Sequence, residues 1–373
     1  MKNLFVYGTL AHLPLLNIVL GRGSEAGQAD VATLADFTPF WVSGQAYPML
    51  AAQKGATATG LLLTNLTDQD LARLDFYEGG FDYTLKPVTV KTPRGETSAE
   101  VYLPDQEPAR GAAWRLSDWQ AEWGAITVRA AEEVMAYFGQ IATDELARRF
   151  AAIRRRAASY VRGQTEASRP TRYDRSDVTV TQKRLPYSNF YAVQEYDLQH
   201  RQFDGDTSPE MERAVFVACD AAIVLPYDPR RDCVLLVEQF RIGAYARGAD
   251  QPWLLEPVAG HVDIGETPEQ AAKRETLEEA GVELSSLIPI CQAYPSPGDS
   301  TEFYHMYLGL CDLQGAGGTV AGVVSEQEDI LCHILSFEEL MAFVENGPGA
   351  NVLPLVTAAY WLARNRDRVR QAA

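Results

Sequence analysis

The sequence predicts two mixed α and β units in succession, with a helical stretch between them. Three observations lead there. The chain has 373 residues, more than the ~100–200 residues of one domain. Strand-like segments bounded by turn residues fill positions 1–112, and a helical periodicity takes over across 113–170. Strands followed by well-punctuated helices then occupy 171–373.

The elements follow in order. Asn3–Val6 reads as a strand that enters the turn Tyr7-Gly8-Thr9, and Thr59–Leu63 as a second strand. Thr67 and Asp70 mark the start of a short helix. Pro87–Lys91 and Ser98–Leu103 form a hairpin around Pro93-Arg94-Gly95, after which Pro104 to Gly111 loosens the chain. From Leu116 to about Arg162 the pattern is helical. Ser117 is a cap for Trp119, Trp123, Ile126 and Ala130, and Thr143 for Leu146, Phe150, Ile153, Ala157 and Tyr160. The opposite face carries Arg148, Arg149, Arg155, Arg156 and Arg162, expected to be solvated or docked on an acidic domain. Gly163 to Pro170 is read as a linker. Beyond it, Tyr191–Gln199, Val215–Leu225 and Cys233–Gln239 are strands, while Ser208–Arg213 is too polar to join them. Pro268–Ala280 is a helix with Thr267 as N-cap, Gln270 three residues on, Pro268 first and Gly281 just past the end. Two helices close the pattern, one capped by Ser336 with Glu339, the other over Val352 to about Arg368.

Composition narrows the function. Hydrophobic residues make up 46% and charged residues 22%, which excludes a disordered or fibrous chain. Net charge is −17, and positions 171–373, with 16 Lys/Arg against 31 Asp/Glu, carry −15 of it. Such a surface repels a phosphodiester polymer, so no nucleic-acid partner is expected. It attracts divalent cations, which can bring in a small phosphorylated ligand. No apolar run reaches the ~18 residues of a membrane helix. The opening MKNLFVYGTL lacks a secretory pattern, and a cytoplasmic location is expected. The five cysteines form no CxxC pair and read as reduced, buried or idle thiols.

The strongest chemical signal runs from Gly260 to Val282. On the capped helix Glu275, Glu278 and Glu279 stand at i, i+3 and i+4, so their carboxylates share one face. Carboxylates without a local basic partner repel one another, and a hard cation relieves that while bridging to phosphate oxygens. Arg274 is placed to hold one of them from the side. The full pattern resembles the signature of the Nudix hydrolases: Gly260, then Glu266, then Arg274-Glu275, Glu278-Glu279 and Gly281, with Thr276 where an aliphatic residue is usual. The resemblance implies an α/β/α sandwich with a mixed sheet and an Mg²⁺-dependent hydrolase of a nucleoside diphosphate linked to another group, with Mn²⁺ as a possible substitute. It implies Glu275, Glu278 and Glu279 as metal ligands, with the Ala259 carbonyl beside them.

Leu225-Pro226-Tyr227-Asp228-Pro229, Val237–Ile242, Pro252–Glu256 and Pro297, sixteen residues after Gly281, resemble the bacterial ADP-ribose pyrophosphatases; Asp299 stands where a second glycine is usual. That similarity implies Glu326 as general base with Glu328 as the fallback. It implies Arg213 and Arg241 on the phosphates, Phe190 on the adenine, and Glu302 and Trp253 at the pocket or at the interface of a homodimer. The implied reaction splits ADP-ribose into AMP and ribose 5-phosphate; ADP-glucose and GDP-mannose are the alternative nucleotide sugars.

Phe5-Val6-Tyr7-Gly8-Thr9-Leu10, Tyr47-Pro48-Met49-Leu50 and Leu74-Asp75-Phe76-Tyr77-Glu78-Gly79 resemble, in this order, the γ-glutamylcyclotransferase-like family. That family implies a small α+β fold around a β-barrel. It implies an anion held by the Tyr7, Gly8, Thr9 and Leu10 turn, and Glu78 as the acid/base that yields 5-oxoproline. Flanking Tyr77 and Phe81 suit a raised Glu78 pKa. Where the family often has an arginine shortly after the tyrosine, this chain reads Tyr83-Thr84-Leu85-Lys86. Fusions of the two domains resemble proteins labelled tellurite-resistance related. A nucleotide-sugar sensor without turnover, and a chain whose first domain is the main enzyme, are the readings from other classes.

Overall fold

The computed structural model describes residues 2–22, 29–78, 83–165, 170–323, 327–347 and 351–372. It divides into two compact units, Met1–Arg172 and Tyr173–Ala373.

The first unit is a barrel with helices. Its strands are β1 (Lys2–Val6), β2 (Ala29–Val42), β3 (Pro48–Leu66), β4 (Tyr83–Thr92), β5 (Gly95–Pro104) and β6 (Arg110–Ala113). Pairing runs β3-β1-β5-β4-β2 and returns from β2 to β3, which closes five strands on themselves, with β6 on the flank of β2. Closure leaves no open edge among the five. Phe5, Leu34, Leu62, Val90 and Val101 fill the interior. The expected β1 and the β4–β5 hairpin are present. β2 and most of β3 have no simple alternation and were not anticipated. Their long ladder slips at Asp36, whose φ of 62° makes a bulge and bends the pair as closure requires.

The helices of this unit are α1 (Leu13–Leu20), α2 (Asp68–Glu78), α3 (Leu116–Trp119), α4 (Ala125–Ala136) and α5 (Thr143–Gly163), with a π-helical turn Gln120–Gly124 joining α3 to α4. Thr67 and Asp70 exchange hydrogen bonds at the start of α2, as their spacing predicts. Ser117 and Thr143 are not caps. The caps are Arg115 and Ala142, with no side-chain bond, because Ser117 spends its hydroxyl on Asp118. The helical stretch is part of the first unit: Trp119 donates its indole N–H to Ala46 O at 2.9 Å, and Phe138 packs edge-on to Phe76. Nor is the arginine face wholly solvated. Arg156 is 3% exposed and pairs with Glu133 of α4. Of the expected linker, residues 166–169 lie outside the described residues.

The second unit opens with an antiparallel three-stranded sheet, β7 (Val178–Ser188), β8 (Ala192–His200) and β9 (Met211–Val217). Eight strands then form a mixed sheet: β10 (Asp220–Asp228), β11 (Cys233–Phe240), β12 (Trp253–Glu256), β13 (Val258–His261), β14 (Ser286–Ala293), β15 (Phe303–Leu310), β16 (Val320–Ala321) and β17 (Ile330–Ser336). The expected single strand Val215–Leu225 is instead β9 and β10, in different sheets, and Met211–Arg213 joins β9. The physical reason is burial: all nine residues of β10 are buried, whereas β9 is mostly exposed. The helices are α6 (Ile242–Ala246), α7 (Pro268–Ala280), α8 (Phe337–Asn346) and α9 (Leu353–Ala372). Alternate residues of β10 divide between two cores. Ala222 and Val224 pack with Ala271, Ala272 and Ala280 of α7, and Ile223, Leu225 and Tyr227 with Leu340 of α8 and Leu355 of α9. That is an α/β/α sandwich.

One feature of the sheet positions the chemistry. β10 and β11 pair only at their hairpin end, Tyr227 with Val234 and Asp228 with Cys233. Beyond it β13 pairs with β10 and β12 with β11. The split lays β13 beside α7. Helix α7 has the bounds and the reciprocal Thr267–Gln270 cap its sequence predicts, and Gly281 closes it at φ 64°. Buried Thr276 donates its hydroxyl to Ala272 O at 2.7 Å, so the departure from an aliphatic residue leaves no unsatisfied polar group.

Arg156→Ala should destabilise the first unit by about 3–5 kcal/mol, because it removes a buried guanidinium from its ion pair with Glu133. Urea denaturation followed by tryptophan fluorescence measures it, and Arg156→Met with Glu133→Leu should recover most of the loss.

Candidate functional site

The centre of the second unit is one guanidinium. Arg274 gives Nε and Nη2 to the two oxygens of Glu266 at 2.8 and 3.0 Å. Its Nη1 donates to Glu275 Oε1 at 2.7 Å and Glu278 Oε2 at 2.9 Å, and Nη2 reaches His261 O at 3.1 Å. Arg274 thus holds two of the three helix glutamates, where one was expected, and Glu266 as well. Glu279 is not bonded to Arg274; it is 2% exposed and accepts the Ala259 N–H at 3.2 Å. Because Arg274 draws off Glu275 and Glu278, no three acidic, His or Cys side chains among the described residues stand as a ready metal cage.

The donor set nevertheless suits a hard dication. Burial, with the nearby charge of Glu328 acting in the same direction, pushes the Glu275 carboxyl up to about 7 and Glu279 up to about 8. Carboxylates that cost free energy to ionise alone are stabilised by an oxygen-seeking cation, which needs them deprotonated. Gly260 permits the crowding: a Cβ there would lie 2.0 Å from the Glu275 carboxyl.

The residues expected around this centre divide into two groups. Glu328 accepts the Val323 N–H at 3.0 Å, and Gly322 N donates to Glu278 O at 3.3 Å, which ties its loop to α7. Glu326 lies outside the described residues. Arg241 binds Glu256 at 2.6 Å, and the charge of Glu279 helps keep its pKa high. Glu302 is pushed up by burial while Arg241 pulls it down, which puts it in the same neighbourhood. Phe190 lies exposed beside the signature, with its ring 5.9 Å from that of His261 and 4.8 Å from Tyr191. Trp253 stacks edge-on to Phe240. Arg213 is not brought in. It is exposed on β9, donates to Glu212 O, and bonds to no α7 carboxylate.

The barrel carries its own pocket, lined by Tyr7, Gly8, Thr9 and Leu10 together with Tyr47, Tyr77, Glu78, Tyr83 and Tyr102. Glu78 ends α2, and burial pushes its carboxyl up to about 7. Being the C-terminal residue of a helix acts in the same direction. Tyr7 is buried and its phenol is held well above the ordinary range, first by burial and then by Tyr83 and Glu78. The group is therefore a hydroxyl-rich pocket around one buried carboxyl with a raised pKa, and the Arg154 guanidinium lies on its wall. Phe81 lies outside the described residues.

Residues 218–356 match the NUDIX domain model, and residues 4–121 match the model described as gamma-glutamyl cyclotransferase, AIG2-like. The ADP-ribose pyrophosphatase of Escherichia coli (strain K12) is 37% identical over 201 residues, 54% of this chain and 95% of that protein. The protein of the same name from Haemophilus influenzae is 32% identical over 202 residues, 54% of this chain and 92% of that protein. The GDP-mannose pyrophosphatase of Pectobacterium atrosepticum is 30% identical over 172 residues, 46% of this chain and 87% of that protein. The chain belongs to the Nudix family.

Several residues of the two candidate sites escaped reading from sequence. Glu266 stood in the signature without a role, although its offset from Arg274 was the available signal. Glu256 and Tyr304, which bonds Glu302, had none, because their roles depend on which strands pair. The arginine in the barrel pocket, Arg154, was lost among its neighbours on α5.

Two outcomes follow. Gly260→Ala displaces Glu275 and should weaken divalent-metal affinity about tenfold or more, measured by Mn²⁺ paramagnetic resonance, with the fold intact by circular dichroism. For Glu78, the folded pKa of about 7 lies above the ordinary 4.5, so the folded state holds the proton longer. The stability from its neutral form is complete below about pH 4.5 and lost as pH rises through about 7. Glu78→Gln should remove that decline, as read from urea midpoints across the interval.

Proposed function

We propose that the second unit hydrolyses the pyrophosphate of ADP-ribose to AMP and ribose 5-phosphate with Mg²⁺, Mn²⁺ serving as a substitute. The observation that carries this reading is the clustering of Glu275, Glu278, Glu279 and Glu328 beside Arg241 and Glu302. It is supported by likeness to the Escherichia coli enzyme across 95% of that protein. Glu275, Glu278, Glu279 and the Ala259 carbonyl would hold the ion. The chemistry such an ion supplies is charge screening on the diphosphate and acidification of bound water.

The chain's own residues do the rest. Arg241, fixed by Glu256, offers its remaining N–H donors to phosphate oxygens. A carboxylate on the loop after β16, Glu326 or Glu328, takes a proton from water. The water oxygen bonds to phosphorus as the bridging P–O bond breaks, and the departing phosphate keeps that bond's electrons. Phe190 offers a face for the base. Arg213 joins only if a second copy of the chain brings a β9 to the site, in keeping with a homodimer. The location is proposed as cytoplasmic.

The GDP-mannose relative favours a second nucleotide sugar as substrate; ADP-glucose belongs to the same class. The barrel supports a separate reading. There Glu78 would move the proton while an α-amine attacks a γ-amide carbonyl, releasing the amine and 5-oxoproline.

Incubation with Mg²⁺ and ADP-ribose, ADP-glucose or GDP-mannose, with chromatography of products, tests the first reading. AMP and ribose 5-phosphate should appear from ADP-ribose, and Glu279→Gln should lower the rate about 100-fold or more. No turnover of any sugar nucleotide would sink it and leave a sensor.

A further inference from the structure

The barrel pocket is larger than the barrel. Thr127 of α4 and Phe150 and Arg154 of α5 line it together with the Tyr7–Leu10 turn and Glu78. All three lie beyond residue 121, where the match to the cyclotransferase-like model ends. The helical stretch therefore adds chemistry that the barrel motifs do not contain.

Arg154 is unlike its neighbours. On the same helix Arg148 pairs with Asp144, Arg149 with Glu145 and Arg156 with Glu133. Among the described residues Arg154 has no carboxylate partner. It lies near two aromatic rings instead, with its guanidinium carbon 5.8 Å from both the Trp123 and Phe150 centroids. Ring faces stabilise a cation modestly but give the N–H fork no acceptor. The other lining groups are phenols, the hydroxyls of Thr9 and Thr127, backbone and apolar carbons, apart from Glu78. Burial raises the Glu78 pKa and lowers that of Arg154, as expected where charge is poorly neutralised. A half-buried guanidinium on a pocket wall, steered by rings and left without an anion, is arranged to receive one from a ligand.

We propose that α4 and α5 complete the barrel pocket and that Arg154 is its anion-recognition residue, binding a carboxylate of a small acidic amide. This rests on the pocket being a ligand site, as in the barrel reading above, but not on Glu78 being catalytic. Selectivity then comes from the helical stretch, and Arg154 is a binding residue rather than a reacting one.

The test is calorimetric titration of the full chain with γ-L-glutamylglycine and its two mono-amides, each with one carboxylate capped. Titrations are run in wild type, Arg154→Gln and Arg154→Lys. One cap should weaken wild-type binding about tenfold or more. Arg154→Gln should bind that capped probe as wild type does and lose the preference for the free acid. Arg154→Lys, which keeps the charge, should retain part of it. Thermal unfolding of each variant verifies the fold. The proposal is overturned if Arg154→Gln keeps the preference, if neither cap matters in wild type, or if no probe binds at millimolar concentration. Failure of the catalytic reading is distinguishable: wild type would bind the free acid yet form no 5-oxoproline from it.

Discussion

A single guanidinium holds the carboxylates of the second unit together. Arg274 neutralises part of Glu266, Glu275 and Glu278 at once and reaches the His261 carbonyl on β13. Without it three carboxylates would crowd one end of the sheet with only water to screen them. The same bonds span the loop between β13 and α7, so they fix the helix against the split in the sheet.

The split is what makes the site possible. A β10–β11 pair that stayed zipped would leave no room for β12 and β13, and Ala259 and Gly260 would not reach α7. Because the two strands part after their hairpin end, the backbone of β13 lies close enough to donate to Glu279, and Gly260 leaves space for Glu275. The cost is electrostatic: Glu275 and Glu279 are buried with raised pKa values. Strain of that kind is typical of sites whose charge is completed by a ligand.

The first unit solves a similar problem with different parts. Its pocket surrounds one carboxyl with phenols and shields it, which leaves Glu78 poised near neutrality. The helices beyond the barrel contribute a cation rather than mere cover. Both units thus bury incompletely neutralised carboxyls whose pKa values are raised.

The sequence by itself determined the local and patterned features. Helix α7, from its Thr267 cap to Gly281, was legible because capping, proline placement and the glycine terminator act over a few residues. So were the carboxylate signature, the β4–β5 hairpin, the two-unit architecture and the candidacy of Glu78. What tertiary structure decided depends on contacts far apart in the chain. These are the β2–β3 bulge, the division of Val215–Leu225 between two sheets, the Arg241–Glu256 pair and the burial of Arg156. The approach of α5 to the barrel, which singles out Arg154, belongs with them. Arginines spaced along one helix look alike in sequence; only the packing of α4, α5 and the barrel decides which one meets a glutamate and which faces a pocket.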